Sequence, residues 1–152
     1  MRRLTSVVMA LLALAACTNK KPSATTISRS EYQSRANAIC ASMNAKGNSL
    51  QDPGTDQAKL KQVVDQAISI VALSADGLAQ LRQLPQPPAD KATIEGFFAK
   101  LDKLIGDLKD ESAALGASDM NRASQIASNF KADSTAANDA ANAYGLTVCG
   151  SS

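Results

Sequence analysis

The chain predicts an all-α fold, a four-helix up-down bundle, on three observations. Apolar residues recur at intervals of three and four through four long stretches, the spacing that aligns one face of a helix with 3.6 residues per turn. Gly and Pro clusters separate those stretches and stop helices by their backbone chemistry. Ser, Thr or Asp stands ahead of three of the four, where a side-chain oxygen can cap the first turn.

The first helix is expected over about 30–46. Ser28 and Glu31, and likewise Ser30 and Gln33, have capping-box spacing. Tyr32, Ala36, Ile39 and Met43 then form one stripe, with Cys40 at its border. Gly47 is placed to end this helix in a left-handed conformation, and residues 48–54, with Asp52-Pro53-Gly54, form a turn. Thr55 is the expected N-cap of a second helix over about 55–84, whose stripe runs through Leu60, Val63, Val64, Ala67, Val71, Ser74, Leu78 and Leu81. Ile68, Ile70 and Leu73 widen that face. Gly77 interrupts it at a cost of about 1 kcal/mol relative to alanine and predicts a bend.

Pro85-Gln86-Pro87-Pro88 breaks the chain before a third helix over about 89–115. Its stripe, Ile94, Phe97, Phe98, Leu101, Leu104, Ile105, Leu108 and Leu115, is the richest in large side chains. Asp107, Asp110 and Glu111 belong to its solvated face; with no calcium-loop motif around them, no metal site is expected. Gly116 ends this helix, and Ser118 or Asp119 caps a fourth over about 119–144. Met120, Ala123, Ile126, Ala127, Phe130, Ala137, Ala140, Ala141 and Tyr144 face inward there. Asp133, Asn138 and Asn142 are among the residues assigned to the wet face. Gly145-Leu146 predicts a Schellman ending.

The amino terminus sets the expected address. Met1-Arg2-Arg3 precedes an uncharged, apolar run from Leu4 to Ala16, the layout of a secretory leader, and at about 13 residues the run is well short of the ~20 that span a bilayer. Leu14-Ala15-Ala16-Cys17 resembles the lipobox of bacterial lipoproteins, which implies a diacylglyceryl group on Cys17 and cleavage before it. Two acyl chains anchor stably where one is marginal. The expected organisation is therefore a leader at 1–16, a lipidated flexible tether at 17–29 and a bundle domain at 30–152. The localisation this implies is exported and lipid-anchored, on the outer face of the cell membrane or in an outer membrane according to envelope type.

With Cys17 assigned to lipid, Cys40 and Cys149 remain as a pair in an oxidising compartment. In an up-down bundle the end of the fourth helix lies beside the start of the first. Cys149 can then reach Cys40 only if the chain reverses at Gly145 and the tail runs back along helix one. The motifs Asn37-Ala38-Ile39-Cys40, Pro87-Pro88-Ala89-Asp90 and Gly145-Leu146-Thr147-Val148-Cys149-Gly150 together resemble a group of small exported helical lipoproteins frequent in actinobacteria. That resemblance implies architecture and carries no functional residues across.

Composition excludes several functions. Of 16 basic residues two are Arg2 and Arg3, so the rest balance 14 acidic ones, and the chain without its expected leader has no basic excess for nucleic acid. His and Trp are absent, which removes the usual general base and commonest metal ligand, and no nucleophile-base pair or phosphate loop is present. No catalytic residue, cofactor or metal is therefore expected. The leading expectation is a membrane-anchored, non-catalytic interaction or structural module with an envelope protein as partner and a filled core. The alternative is a carrier holding a lipid or other apolar small molecule between helices. Phe97, Phe98, Leu101 and Phe130 are the candidate lining, and Gly96 and Gly106 are expected to leave space opposite the alanine-rich fourth helix.

Overall fold

The computed structural model describes residues 26–50 and 59–151. They form α1 (Arg29–Asn48), α2 (Leu60–Gln83), α3 (Lys91–Gly116) and α4 (Met120–Tyr144), with 3-10 turns at Pro88–Asp90 and Cys149–Ser151. No strand occurs among the described residues. The expected four-helix up-down bundle is the observed fold. Cys17 and its lipobox, the tether over 17–25, the Asp52-Pro53-Gly54 turn and the Thr55 cap lie outside the described residues.

The helix ends follow local chemistry. Ser28 caps α1, its hydroxyl accepting from the Glu31 amide at 3.1 Å, and Asp119 caps α4 by accepting from the Arg122 amide at 3.0 Å. Gly145, at φ +91°, ends α4 in the left-handed region. The Leu146 amide donates to Ala141 O at 2.8 Å and the Gly145 amide to Asn142 O at 3.0 Å, the paired bonds of a Schellman ending. Leu146 is then buried in the core.

Two glycines behave differently from their sequence reading. Gly47 does not end α1; it is helical, and the helix stops at Asn48 with Ser49 in a right-handed conformation. Nor does Gly77 break α2, which is assigned helical throughout from Leu60 to Gln83. Gly77 is buried because Met43 of α1 occupies the room a side chain would take: a Cβ there would stand 1.6 Å from Met43 Sδ. The propensity penalty is offset by close packing of two helices.

Burial is concentrated at one end of the bundle. Tyr32, Ala36 and Cys40 from the first half of α1, Leu78 and Leu81 from the end of α2, Ile94, Phe97, Phe98 and Ile105 of α3, and Ala141 and Tyr144 from the end of α4 form one cluster with Leu146. Ile27 belongs to it too, so the domain begins inside the stretch assigned to the tether. The opposite end is looser. Met43, Val63, Val64, Ile70, Leu73, Leu104, Leu108, Ile126 and Phe130 are only partly buried, whereas Ile68 and Met120 are exposed outright. Ala127 is likewise exposed rather than inward-facing. α3 packs extensively on α4 and α2, and α2 on α1; the C-terminal tail bridges α4 and α1.

Candidate functional site

Side chains of the looser half, together with the adjoining edge of the core cluster, line a partly open cavity of about 700 Å³. α3 contributes Phe97, Leu101, Leu104, Ile105 and Leu108, and α2 contributes Ile70, Leu73, Leu78 and Leu81 with Gln66 and Ser74. These two walls are largely hydrocarbon. The remaining wall is different: α4 presents Phe130, Ser134 and Asn138 at successive four-residue steps, α1 presents Met43, Asn44 and Asn48, and the tail adds Cys149 and Ser151. None of the described lining residues is ionisable apart from the disulfide-bonded cysteines, which do not titrate.

The tail fixes the position of the polar wall. Gln33, Asn37, Cys40 and Asn44 recur on α1 at steps of four, three and four, so they form one ridge, and each meets the returning chain. Gln33 Nε2 donates to Tyr144 O at 2.5 Å, and Asn37 Nδ2 donates to Gly145 O at 3.2 Å. Asn37 Oδ1 accepts from the Val148 amide at 3.0 Å, and Asn44 Nδ2 reaches Val148 O at 3.5 Å. Between them the Cys40–Cys149 disulfide closes with Cα atoms 5.1 Å apart. The predicted reversal of the tail along α1 is thus observed. The amide ladder was not predicted, although its four-three-four spacing was present in the sequence as a polar counterpart of an apolar stripe.

Small inner residues on α4, among them Ala123 and Ala137, let it close on α3. The space lies among all four helices and the tail and does not come from the glycines of α3. Gly96 and Gly106 do not line the cavity, and a Cβ at either would meet nothing within 4 Å.

Of the four candidate lining residues, Phe97, Leu101 and Phe130 line the cavity. Phe98 does not; it lies fully buried in the core with the Arg82 guanidinium 5.5 Å from its ring centre. A helix turns by about 100° per residue, and at this point of α3 that turn carries Phe98 into the core while Phe97 lines the cavity. Asn138, assigned to the wet face, is half-buried and lines the cavity instead.

The compact end seals the bundle above the cavity. Tyr32 and Tyr144 meet edge to face with ring centres 6.0 Å apart. Tyr144 donates its hydroxyl proton to Asp90 at 2.8 Å, and Arg29 stacks over the same ring at 4.5 Å. Burial, then the Asp90 hydrogen bond, raises the Tyr144 phenol above its ordinary range. Burial, with the Glu95 charge adding to it, pushes Tyr32 up to about 12. Elsewhere Lys103 joins α3 to α4 by pairing with Asp107 at 3.1 Å and with Asp133. Burial raises the Glu111 carboxyl. Asp107, Asp110 and Glu111 do not converge on a metal position, and no cluster of three or more potential metal-binding side chains occurs among the described residues.

No helix among the described residues is long and apolar enough to cross a membrane. Compared with known proteins, the chain matches no family model, no curated protein and no solved structure at a significant level.

Proposed function

We propose that this protein is an exported, lipid-anchored carrier that shelters an apolar molecule between the helices of its bundle. The observation behind this reading is the cavity of about 700 Å³, within the range of about 300–1,000 Å³ typical of small-molecule sites and walled mostly by Leu, Ile and Phe. An interaction module calls for a filled core, and the space beside Leu101 and Phe130 favours the carrier over it. Cys17 supplies the anchor and the tether keeps the bundle near the membrane from which an apolar cargo would come. No chemistry on the cargo is part of the proposal: neither an imidazole nor a nucleophile-base pair is available for it.

Uptake of the neutral fluorescent probe N-phenyl-1-naphthylamine tests the carrier. The chain from Thr18 onward, exported to an oxidising compartment and purified without detergent, is expected to take up the probe saturably at one per chain. Ser134→Phe, which projects a ring into the cavity, is expected to weaken uptake several-fold while leaving the helical circular dichroism intact. A titration with no saturable phase contradicts the carrier. The anchor has its own test: Cys17→Ser is expected to move the protein from the membrane fraction to the soluble one, and retention in the membrane contradicts it.

A further inference from the structure

We propose that the cavity selects an uncharged lipid with one long acyl chain, seating its hydroxyl or ester head against Ser134, Asn138 and Asn44; this rests on the carrier reading. Among the described residues no charged side chain lines the cavity to pair with an ionised head, and burying an unpaired charge is far costlier than burying a hydroxyl or ester that finds hydrogen-bond partners. Anionic and cationic heads are both disfavoured, whatever their tails.

Polar groups are concentrated on the α1 and α4 side, with Gln66 and Ser74 of α2 the others among the described helices. Ser134 and Asn138 are successive cavity-facing positions of α4, directly after Phe130, and Asn44 stands on α1 beside the tail. Facing them, α3 offers only apolar side chains. An amide supplies both donors and an acceptor and a serine hydroxyl supplies one of each, which suits the mixed donors and acceptors of a glycerol ester. Size limits the tail. At roughly 30 Å³ per water-sized group, a volume of about 700 Å³ takes on the order of 20 such groups, one long chain with a small head and not a two-chain phospholipid. The source is free lipid from the surrounding membrane.

Displacement of the bound naphthylamine probe tests the selection with monomyristoylglycerol, ionised myristate and myristyltrimethylammonium, which share chain length and differ in head charge. The neutral ester is expected to displace at least about tenfold more tightly than either ion. Equal displacement by all three, or a preference for an ion, overturns the inference while leaving the carrier standing; failure of the probe itself to bind defeats the carrier. Asn138→Lys is expected to reverse the order in favour of myristate, and an unchanged order removes the head from this position. Where that variant does not fold, the series on the unsubstituted chain decides alone. Uptake by the unlipidated chain but not by the lipidated one assigns the cavity to the protein's own acyl groups and overturns the free-lipid source.

Discussion

Tyr32 shows how one buried side chain ties pH to stability. Its ring is fully buried and its hydroxyl has no hydrogen-bond partner among the described residues, so ionisation would place an unpaired charge in the core. The phenol is raised from 10.0 to about 12, which means the folded state favours the protonated form. The resulting stabilisation is fully present below the unfolded value near 10 and is lost as pH rises through about 12. Urea unfolding followed by far-ultraviolet circular dichroism is expected to show a midpoint that falls across that window. Tyr32→Phe is expected to make the fall shallower, with the raised Tyr144 phenol accounting for the remainder, and to raise stability at neutral pH by about 1 kcal/mol by removing a buried hydroxyl without a partner. A Tyr32→Phe chain less stable at neutral pH contradicts this account of the core.

Pairing along α1 gives the bundle its asymmetry at the scale of elements. Asn37 is the centre of the ladder, holding Gly145 O and the Val148 amide at once. Asn37→Ala is expected to cost about 2 kcal/mol in urea unfolding, since two backbone groups in a part-buried seam lose their partner together; a loss below about 0.5 kcal/mol shows the disulfide alone holds the tail. Gly77 controls the other seam. Gly77→Ala adds helix propensity of about 1 kcal/mol but evicts Met43, whose flexible side chain has the adjoining cavity to move into. Stability is expected to change by less than about 1 kcal/mol, and probe uptake to weaken several-fold as the thioether occupies ligand space. Unchanged uptake places Met43 elsewhere.

The same elements mark how far the sequence was legible. Stripe periodicity, the Ser28 and Asp119 caps, the Gly145 ending, the tail reversal and the Cys40–Cys149 pair were all readable, because each is set by local geometry or by the reach of the chain. Phe97, Leu101 and Phe130 were readable as lining for the same reason. Asn138 and Ser134 were not, since a half-buried polar residue at the edge of an apolar stripe looks like the start of the wet face until the distance to the next helix is known. Gly77 was read through propensity, which carries no information about a methionine on another helix. Ile27 stood in a polar segment and joins the core only because the chain enters α1 past the Tyr32 end.

Taken whole, the molecule is a bundle closed at one end and open inside at the other. The closed end gathers Tyr32, Phe98, Ile94 and Leu146, the largest fully buried side chains, and the disulfide ties the tail across it over a separation of 109 residues. A loop of that length is worth about 4.7 kcal/mol in the chain-entropy model. Such reinforcement lets the other end leave apolar surface unfilled without unfolding, a state in which a cavity otherwise costs stability in proportion to its size. Cargo binding would recover part of that cost, since any ligand held only by the folded state stabilises it. The most direct measurement is native mass spectrometry of the chain from Thr18 onward, purified without detergent from an exporting, lipid-containing host. The expected spectrum carries a one-to-one adduct with the mass of a neutral single-chain lipid, present under gentle desolvation, lost on denaturation and diminished in Ser134→Phe. A bare chain that also takes up no added monomyristoylglycerol contradicts the carrier.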